Sequence, residues 1–189
     1  MLTKGINFVN FKIKKNSTLV KKNLVLLLKS KNEVLNSLSQ NYKNNFTKKL
    51  IDKYKKKIDY RVIGVGGSSL GTQTIYNFLK HKIRKNFVFI DNLQTSLIKD
   101  KKKYTNLIIS KSGNTIETIS NANILIKKNE KNIFITENKD SYLFKLAEKL
   151  KSDIIHHNNY IGGRYSVLSE VGMLPAELMG LKASNFKQL

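Results

Sequence analysis

From Thr18 to Gln40 the apolar positions Leu19, Leu24, Leu27, Leu28, Val34, Leu35 and Leu38 recur at close to helical spacing, and this predicts an amphipathic helical stretch. Phe46, Leu50, Ile51 and Tyr54 predict a second one. From Tyr60 the rhythm changes. Short continuous apolar runs stand at 61–65, 87–90, 107–109 and 133–136, with a weaker one at 153–155. Between them, 70–81, 115–128 and 141–151 have mostly helical spacing. Strands apolar on both faces, alternating with helices, predict a parallel sheet covered on both sides. The expected fold class is α/β, an open three-layer α/β/α sandwich on a five-stranded parallel sheet, preceded by a helical arm. The arm is assigned to residues 1–59 and the sheet domain to residues 60–189. No Gly/Ser linker separates them, so the arm is expected to pack on the sheet domain. In such sheets ligands bind beyond the carboxyl ends of the strands, which directs attention to the loops after each run.

Three loops carry unusual chemistry. The first run leads into Gly64-Val65-Gly66-Gly67-Ser68-Ser69-Leu70-Gly71 and then a helix. Glycines there let backbone amides approach an anion, and a helix amino terminus adds a favourable dipole. A dinucleotide fingerprint with Asp91 as ribose partner is the rival, but Ser69 stands where the third glycine of GxGxxG belongs. The third run leads into Ser110-Lys111-Ser112-Gly113-Asn114-Thr115-Ile116-Glu117-Thr118. Several hydroxyls around a glycine at a helix start suit one tetrahedral oxyanion. An ordinary cap, with Asn114 or Ser112 capping and Glu117 completing a capping box, would need fewer of them. The last loop, Tyr160-Ile161-Gly162-Gly163-Arg164-Tyr165-Ser166-Val167-Leu168-Ser169, sets an arginine after two glycines.

That arginine matters because of the charge pattern. Thirty-five basic residues face thirteen acidic ones, for a formal charge of +22, yet the only arginines are Arg61, Arg84 and Arg164. Nucleic-acid sites use the forked guanidinium freely. Here scattered lysines accompany abundant Asn and Ile, a pattern that A/T-rich codons explain, so no specific nucleic-acid partner is expected. The positive field still favours anions. Absence of cysteine excludes disulfides, thiolate catalysis and Cys-ligated zinc. No metal site and no cofactor are expected. No apolar run is long enough to span a membrane, and residues 1–4 open no secretory signal, so a cytoplasmic location and no membrane partner are expected.

The three loops, in this order and spacing, resemble the glucose-6-phosphate isomerase family. The first two loops look like those of its sugar-isomerase (SIS) domain, of flavodoxin-like type. The Ser112-Gly113-Asn114-Thr115 element is shared by sugar-isomerase domains generally, whereas Gly162 to Ser169, continuing to Gly172, is similar to the isomerase signature itself. Glu170 departs from it, standing where the family prefers a small residue. The resemblance covers residues 61–189 and implies interconversion of glucose 6-phosphate and fructose 6-phosphate by proton transfer through an enediol. It implies that Ser68, Ser110, Lys111, Ser112 and Thr115 hold the phosphate, that Gly67 and Gly163 let main chain approach the sugar, and that Gly66 belongs to the same substrate site. Arg164 would stabilise the enediol-like charge. It also implies a homodimer for the full-length enzyme.

The family's catalytic Glu, His and Lys match nothing in this chain. His81 reads as a capping or surface residue, His156 and His157 as a surface pair, and Glu117, Glu170 and Glu177 as helix residues. Family enzymes are much longer and carry a second sugar-isomerase domain, so the 189 residues are expected to be a piece that is inactive alone. A non-catalytic, regulatory sugar-phosphate-binding module is the alternative.

Overall fold

Five strands form where the apolar runs stand: β1 (Asp59–Ile63), β2 (Asn86–Ile90), β3 (Thr105–Ile109), β4 (Lys131–Thr136) and β5 (Asp153–His156). They belong to a computed structural model that describes residues 18–30, 32–93, 102–127 and 129–187. Residues 1–4, where a secretory leader would begin, and Lys128, the expected end of one helix, lie outside the described residues. The strands pair in the order β2-β1-β3-β4-β5, all parallel. The expected five-stranded parallel sheet is therefore present, with β1 inside it and the direction of winding reversing between β1 and β3. That reversal is where the loops after two neighbouring strands diverge and leave a crevice.

Alternation along the strands builds two cores. Leu107 and Ile109 face one side with Tyr60, Val62, Ile133 and Ile135. Ile108 faces the other with Ile63, Ile90 and Phe134. Among the described residues the α-helices are α1 (Thr18–Lys29), α2 (Glu33–Leu38), α3 (Lys48–Tyr54), α4 (Leu70–Phe78), α5 (Ile116–Leu125), α6 (Tyr142–Lys149) and α7 (Glu170–Met179). Tyr54 of α3, Ile75 of α4 and Val171, Met173 and Leu174 of α7 close the first core. Ala122 and Leu125 of α5 and Leu143 and Ala147 of α6 close the second. Each fully buried large apolar side chain contributes about 1.5–3 kcal/mol, so the three layers hold together through their apolar faces.

The arm departs from its expected form. The helix expected from Thr18 to Gln40 is two helices, α1 and α2, and the chain divides into compact units between Asn32 and Glu33. Ser30 terminates α1 by turning its hydroxyl onto the Leu27 carbonyl at 2.6 Å, a side-chain bond that competes with helix continuation. Other helices are shorter than their periodicity suggests: α4 stops at Phe78 and tightens into a 3-10 turn at Lys80–Lys82. At the start of α6, Ser141 caps by accepting from the Phe144 amide.

Helix α7 is buried at nine of its ten residues and contains Pro175. Proline cannot donate to the carbonyl four residues back, which here belongs to Val171. The hydroxyl of Thr72, in α4, donates to that carbonyl instead at 3.2 Å. The α4–α7 contact thus repairs the defect that the proline makes. At the opposite end of the sheet, Arg61 is also buried, with its guanidinium bonded to Asn106, the Leu125 carbonyl and Glu130. It serves the core and takes no part in the loops.

Candidate functional site

The loop after β1 begins at Gly64, whose amide extends the ladder to the Ile90 carbonyl at 3.1 Å. It then turns at Gly66, with φ of +59°, into a 3-10 turn at Gly66–Ser68. Crowding against the last loop dictates the next glycines. A Cβ on Gly67 would lie 2.2 Å from the carbonyl oxygen of Gly163, and one on Gly71 would lie 2.7 Å from the Val167 side chain. The first and last loops are therefore pressed together main chain to main chain.

The loop after β3 is organised by its own hydroxyls. Ser110, buried at the strand end, shares a 2.9 Å hydrogen bond with Thr115 and accepts from the Gly113 amide at 3.2 Å. Ser112 accepts from the Asn114 amide at 3.2 Å. Asn114 accepts from the Tyr142 amide, which fastens the loop to the start of α6. Thr115 is the N-cap of α5 and makes no capping bond with its side chain. The first-turn amides of α5 therefore keep unsatisfied donors at the positive end of the helix dipole. The rival reading, an Asn114 or Ser112 cap with a Glu117 capping box, does not form at this helix.

The last loop is a 3-10 turn at Gly163–Leu168 running into α7. The hydroxyls of its signature face inward: Ser166 donates to the Gly163 carbonyl at 2.7 Å, and Ser169 donates to the Ser166 carbonyl at 2.7 Å. Gly172 lies where a Cβ would meet the Val167 carbonyl at 2.0 Å. These residues shape the turn and leave Arg164 exposed at its tip.

Two clefts result, and the consecutive residues Ser68 and Gly67 stand one in the wall of each. One, of about 310 Å³, is lined by Ser68, Lys111, Ser112, Thr115, Glu137 and Lys139. The other, of about 420 Å³, includes Gly67, Gly71, Gly163, Arg164 and Val167 in its walls. Among the described residues, the Ser68 hydroxyl and the Arg164 guanidinium make no hydrogen bond or ion pair, so both can serve a ligand. Lys111 donates to the Asn159 carbonyl at 2.6 Å and lies 3.5 Å from Glu137. Lys139 pairs closely with the same carboxylate. Burial alone would raise the Glu137 carboxyl. The Lys139 hydrogen bond and charge, helped by Lys111, outweigh it and hold the group below its ordinary range. The cleft is thus a net cationic pocket with hydroxyls and open helix amides, a setting for a tetrahedral anion.

Of the residues read from the sequence, Ser68, Lys111, Ser112 and Thr115 come together in the first cleft, and Gly67, Gly163 and Arg164 in the second. Ser110 stands behind them as a brace. Gly66 lines neither cleft, and its positive φ turns the loop. Sequence reasoning missed Glu137 and Lys139. They come directly after β4, so the strand-end rule could have found them. His81 is exposed as expected, but His157 is not a surface residue: it is buried, and its Nδ1 lies 3.1 Å from the Asn158 carbonyl. Burial holds its imidazole below the ordinary value. Glu170 does not disturb its helix. It opens α7 fully buried, bonded to Tyr42 and to the Asn158 amide. Among the described residues no group of three or more His, Cys, Asp or Glu is placed to hold a metal ion, and no helix is long and apolar enough to cross a membrane.

The sequence matches the model for phosphoglucose isomerase over residues 27–189. No curated protein matches it. Among solved structures, a hypothetical protein of Thermus thermophilus superposes with a TM-score of 0.70 at 21% identity, covering 88% of this chain and 45% of that one. The NanR protein of Vibrio vulnificus, solved with ManNAc-6P, gives 0.52 at 20% identity over 70% of this chain and 51% of its own. A tagatose-6-phosphate ketose/aldose isomerase of Escherichia coli gives 0.55 at 13% identity over 74% of this chain and 43% of its own. The chain thus spans about half the length of these neighbours, and they share its three-layer α/β fold.

Proposed function

Since the chain belongs to the phosphoglucose isomerase family, we propose that it supplies the phosphate-holding part of a glucose-6-phosphate isomerase. The observation that carries the reading is the convergence of three strand-end loops on two clefts, one cationic and hydroxyl-rich, the other ending on an arginine unpaired among the described residues. The names of two structural neighbours, which contain sugar phosphates, agree with this ligand class.

In this reading the phosphate of glucose 6-phosphate or fructose 6-phosphate sits in the cleft of Ser68, Lys111, Ser112 and Thr115, on the open amides of α5. Ser110 holds Thr115 in place. The sugar extends past Gly67 and Gly163, where the absence of side chains lets main chain approach it. Isomerisation moves a proton between C2 and C1, and negative charge develops on the enediol-like intermediate. The planar guanidinium of Arg164 is placed to stabilise that charge, and such preorganised donors supply much of the catalysis in proton transfers of this kind. The groups that open the ring and move the proton are not among these three loops, so the reading assigns this chain binding and electrostatics and gives it no turnover alone. A homodimer in the cytoplasm belongs to the same reading.

Titration calorimetry with glucose 6-phosphate, fructose 6-phosphate and a five-carbon enediol mimic tests it. Binding of none of the three would remove the site assignment. In a protein that isomerises, Arg164→Ala is expected to lower kcat about a hundredfold or more with little change in melting temperature; unchanged turnover would remove the arginine's role. Stoichiometric binding by the protein as its cell makes it, without isomerisation, would favour a regulatory module.

A further inference from the structure

The residue at which the signature departs from its family, Glu170, is a carboxylate bonded at both oxygens near the site. It is completely buried. One oxygen accepts from the Asn158 amide at 2.9 Å and the other from the Tyr42 hydroxyl at 3.1 Å. The ammonium of Lys187 lies 4.2 Å from the centre of the Tyr42 ring. Burying a carboxylate is costly unless it is fully hydrogen-bonded, so an acidic residue here calls for a compensating gain.

Asn158 is the hub of a turn. Its carbonyl accepts from the Ile161 amide at 3.2 Å, and its side chain accepts from the Tyr160 amide at 2.9 Å. The next residue, Asn159, offers the carbonyl that receives the Lys111 ammonium at 2.6 Å. Beyond the turn come Gly162, Gly163 and Arg164. A carboxylate that fixes Asn158 thereby fixes both the acceptor that aims Lys111 and the chain that carries Arg164. We propose that Glu170 is a positioning residue: through the Asn158–Asn159 turn it sets where Lys111 stands in the anion cleft and where Arg164 stands in the neighbouring cleft. The proposal rests on the sugar-phosphate reading of the site.

A purely structural role for Glu170 makes a different prediction, and two variants separate them. Glu170→Thr removes both acceptors and installs a small residue. Tyr42→Phe removes a hydroxyl that bonds both Glu170 and the Asn158 side chain, and leaves the bond from the Asn158 amide to Glu170 in place. Inorganic phosphate and glucose 6-phosphate are titrated at fixed ionic strength, with melting temperatures recorded for every variant. Glu170→Thr is expected to weaken both ligands about tenfold, while Tyr42→Phe, although less stable, stays within about twofold of the unaltered protein. Glu170→Gln, which can still accept from the Asn158 amide, is expected to restore affinity. Should Glu170→Thr fail to fold, Glu170→Asp takes its place, since the shorter acid cannot reach both partners. Affinity unchanged in Glu170→Thr, or lowered equally in Tyr42→Phe, would overturn the proposal. If the unaltered protein binds neither ligand, the sugar-phosphate reading itself falls, and the proposal with it.

Discussion

Gly67 and Gly163 meet backbone to backbone, closely enough that a single added carbon on Gly67 would lie 2.2 Å from the Gly163 carbonyl oxygen. Gly67→Ala must therefore push the two loops apart. We expect a loss of about 1–3 kcal/mol of stability, together with weaker binding of sugar phosphate. Gly66→Ala makes the control, because open space surrounds that position and only its φ of +59° resists a side chain; its cost is expected at about 1 kcal/mol. Urea unfolding and calorimetry on the pair check this, and equal affinity in Gly67→Ala and the unaltered protein would count against a shared site.

The cleft proposed for the phosphate holds two lysines and one carboxylate, so its affinity for an anion should vary with its charge. Lys111, partly buried and anchored, is expected to matter more than the half-exposed Lys139. Lys111→Met should raise the Kd for inorganic phosphate about tenfold and Lys139→Met about two- to threefold. Glu137→Gln should lower it, since a competing negative charge is gone. Weaker phosphate binding in Glu137→Gln would show that the carboxylate acts chiefly to hold the lysines in place.

Thr72 and Pro175 form a compensating pair. Thr72→Val leaves the buried Val171 carbonyl without its hydroxyl donor, at an expected cost of about 1–3 kcal/mol. Adding Pro175→Ala returns a backbone donor to the helix, and the double variant should be less destabilised than Thr72→Val alone. Additive losses in a double-mutant cycle would show that the hydroxyl does not stand in for the missing amide.

Acid should weaken the fold in two steps. Burial holds the His157 imidazole below its ordinary value of 6.5, so the unfolded chain takes up the proton first. Its contribution is complete above that pH and is lost as pH falls further. Glu137, held below its ordinary 4.5, adds a loss at lower pH with the same sign. Melting temperature should fall as pH drops below about 6.5, and fall less in His157→Gln. Identical pH profiles in the two proteins would exclude His157 as the titrating group.

Much of this was legible along the chain because the strands are apolar on both faces. Runs such as Leu107-Ile108-Ile109 announce a buried strand whatever packs on it, and the loop glycines announce backbone crowding. What stayed hidden depends on contacts between distant residues. Periodicity cannot show that Ser30 turns its hydroxyl back and ends a helix, because the hydrophobic pattern continues beyond it. Nor does a His-His pair reveal which ring is buried: His157 is enclosed because its turn folds against Glu170, a residue that itself looked like a misfit. Lys139 was one lysine among many, and only its place beside Glu137 at the end of β4 distinguishes it.

The strand order also bears on how such a chain is born. β1, synthesised first of the five, ends inside the sheet, flanked by β2 and β3, while β4 and β5 add outward in the order they leave the ribosome. Each later strand meets an edge already waiting for it, which keeps hydrogen-bonding edges briefly exposed during synthesis. The hydroxyl-rich loop after β3 is complete before the arginine-bearing loop emerges. A nascent chain paused between the two would hold the hydroxyl loop without the Asn158–Asn159 turn and Glu170, so its Lys111 would still lack the acceptor that anchors it.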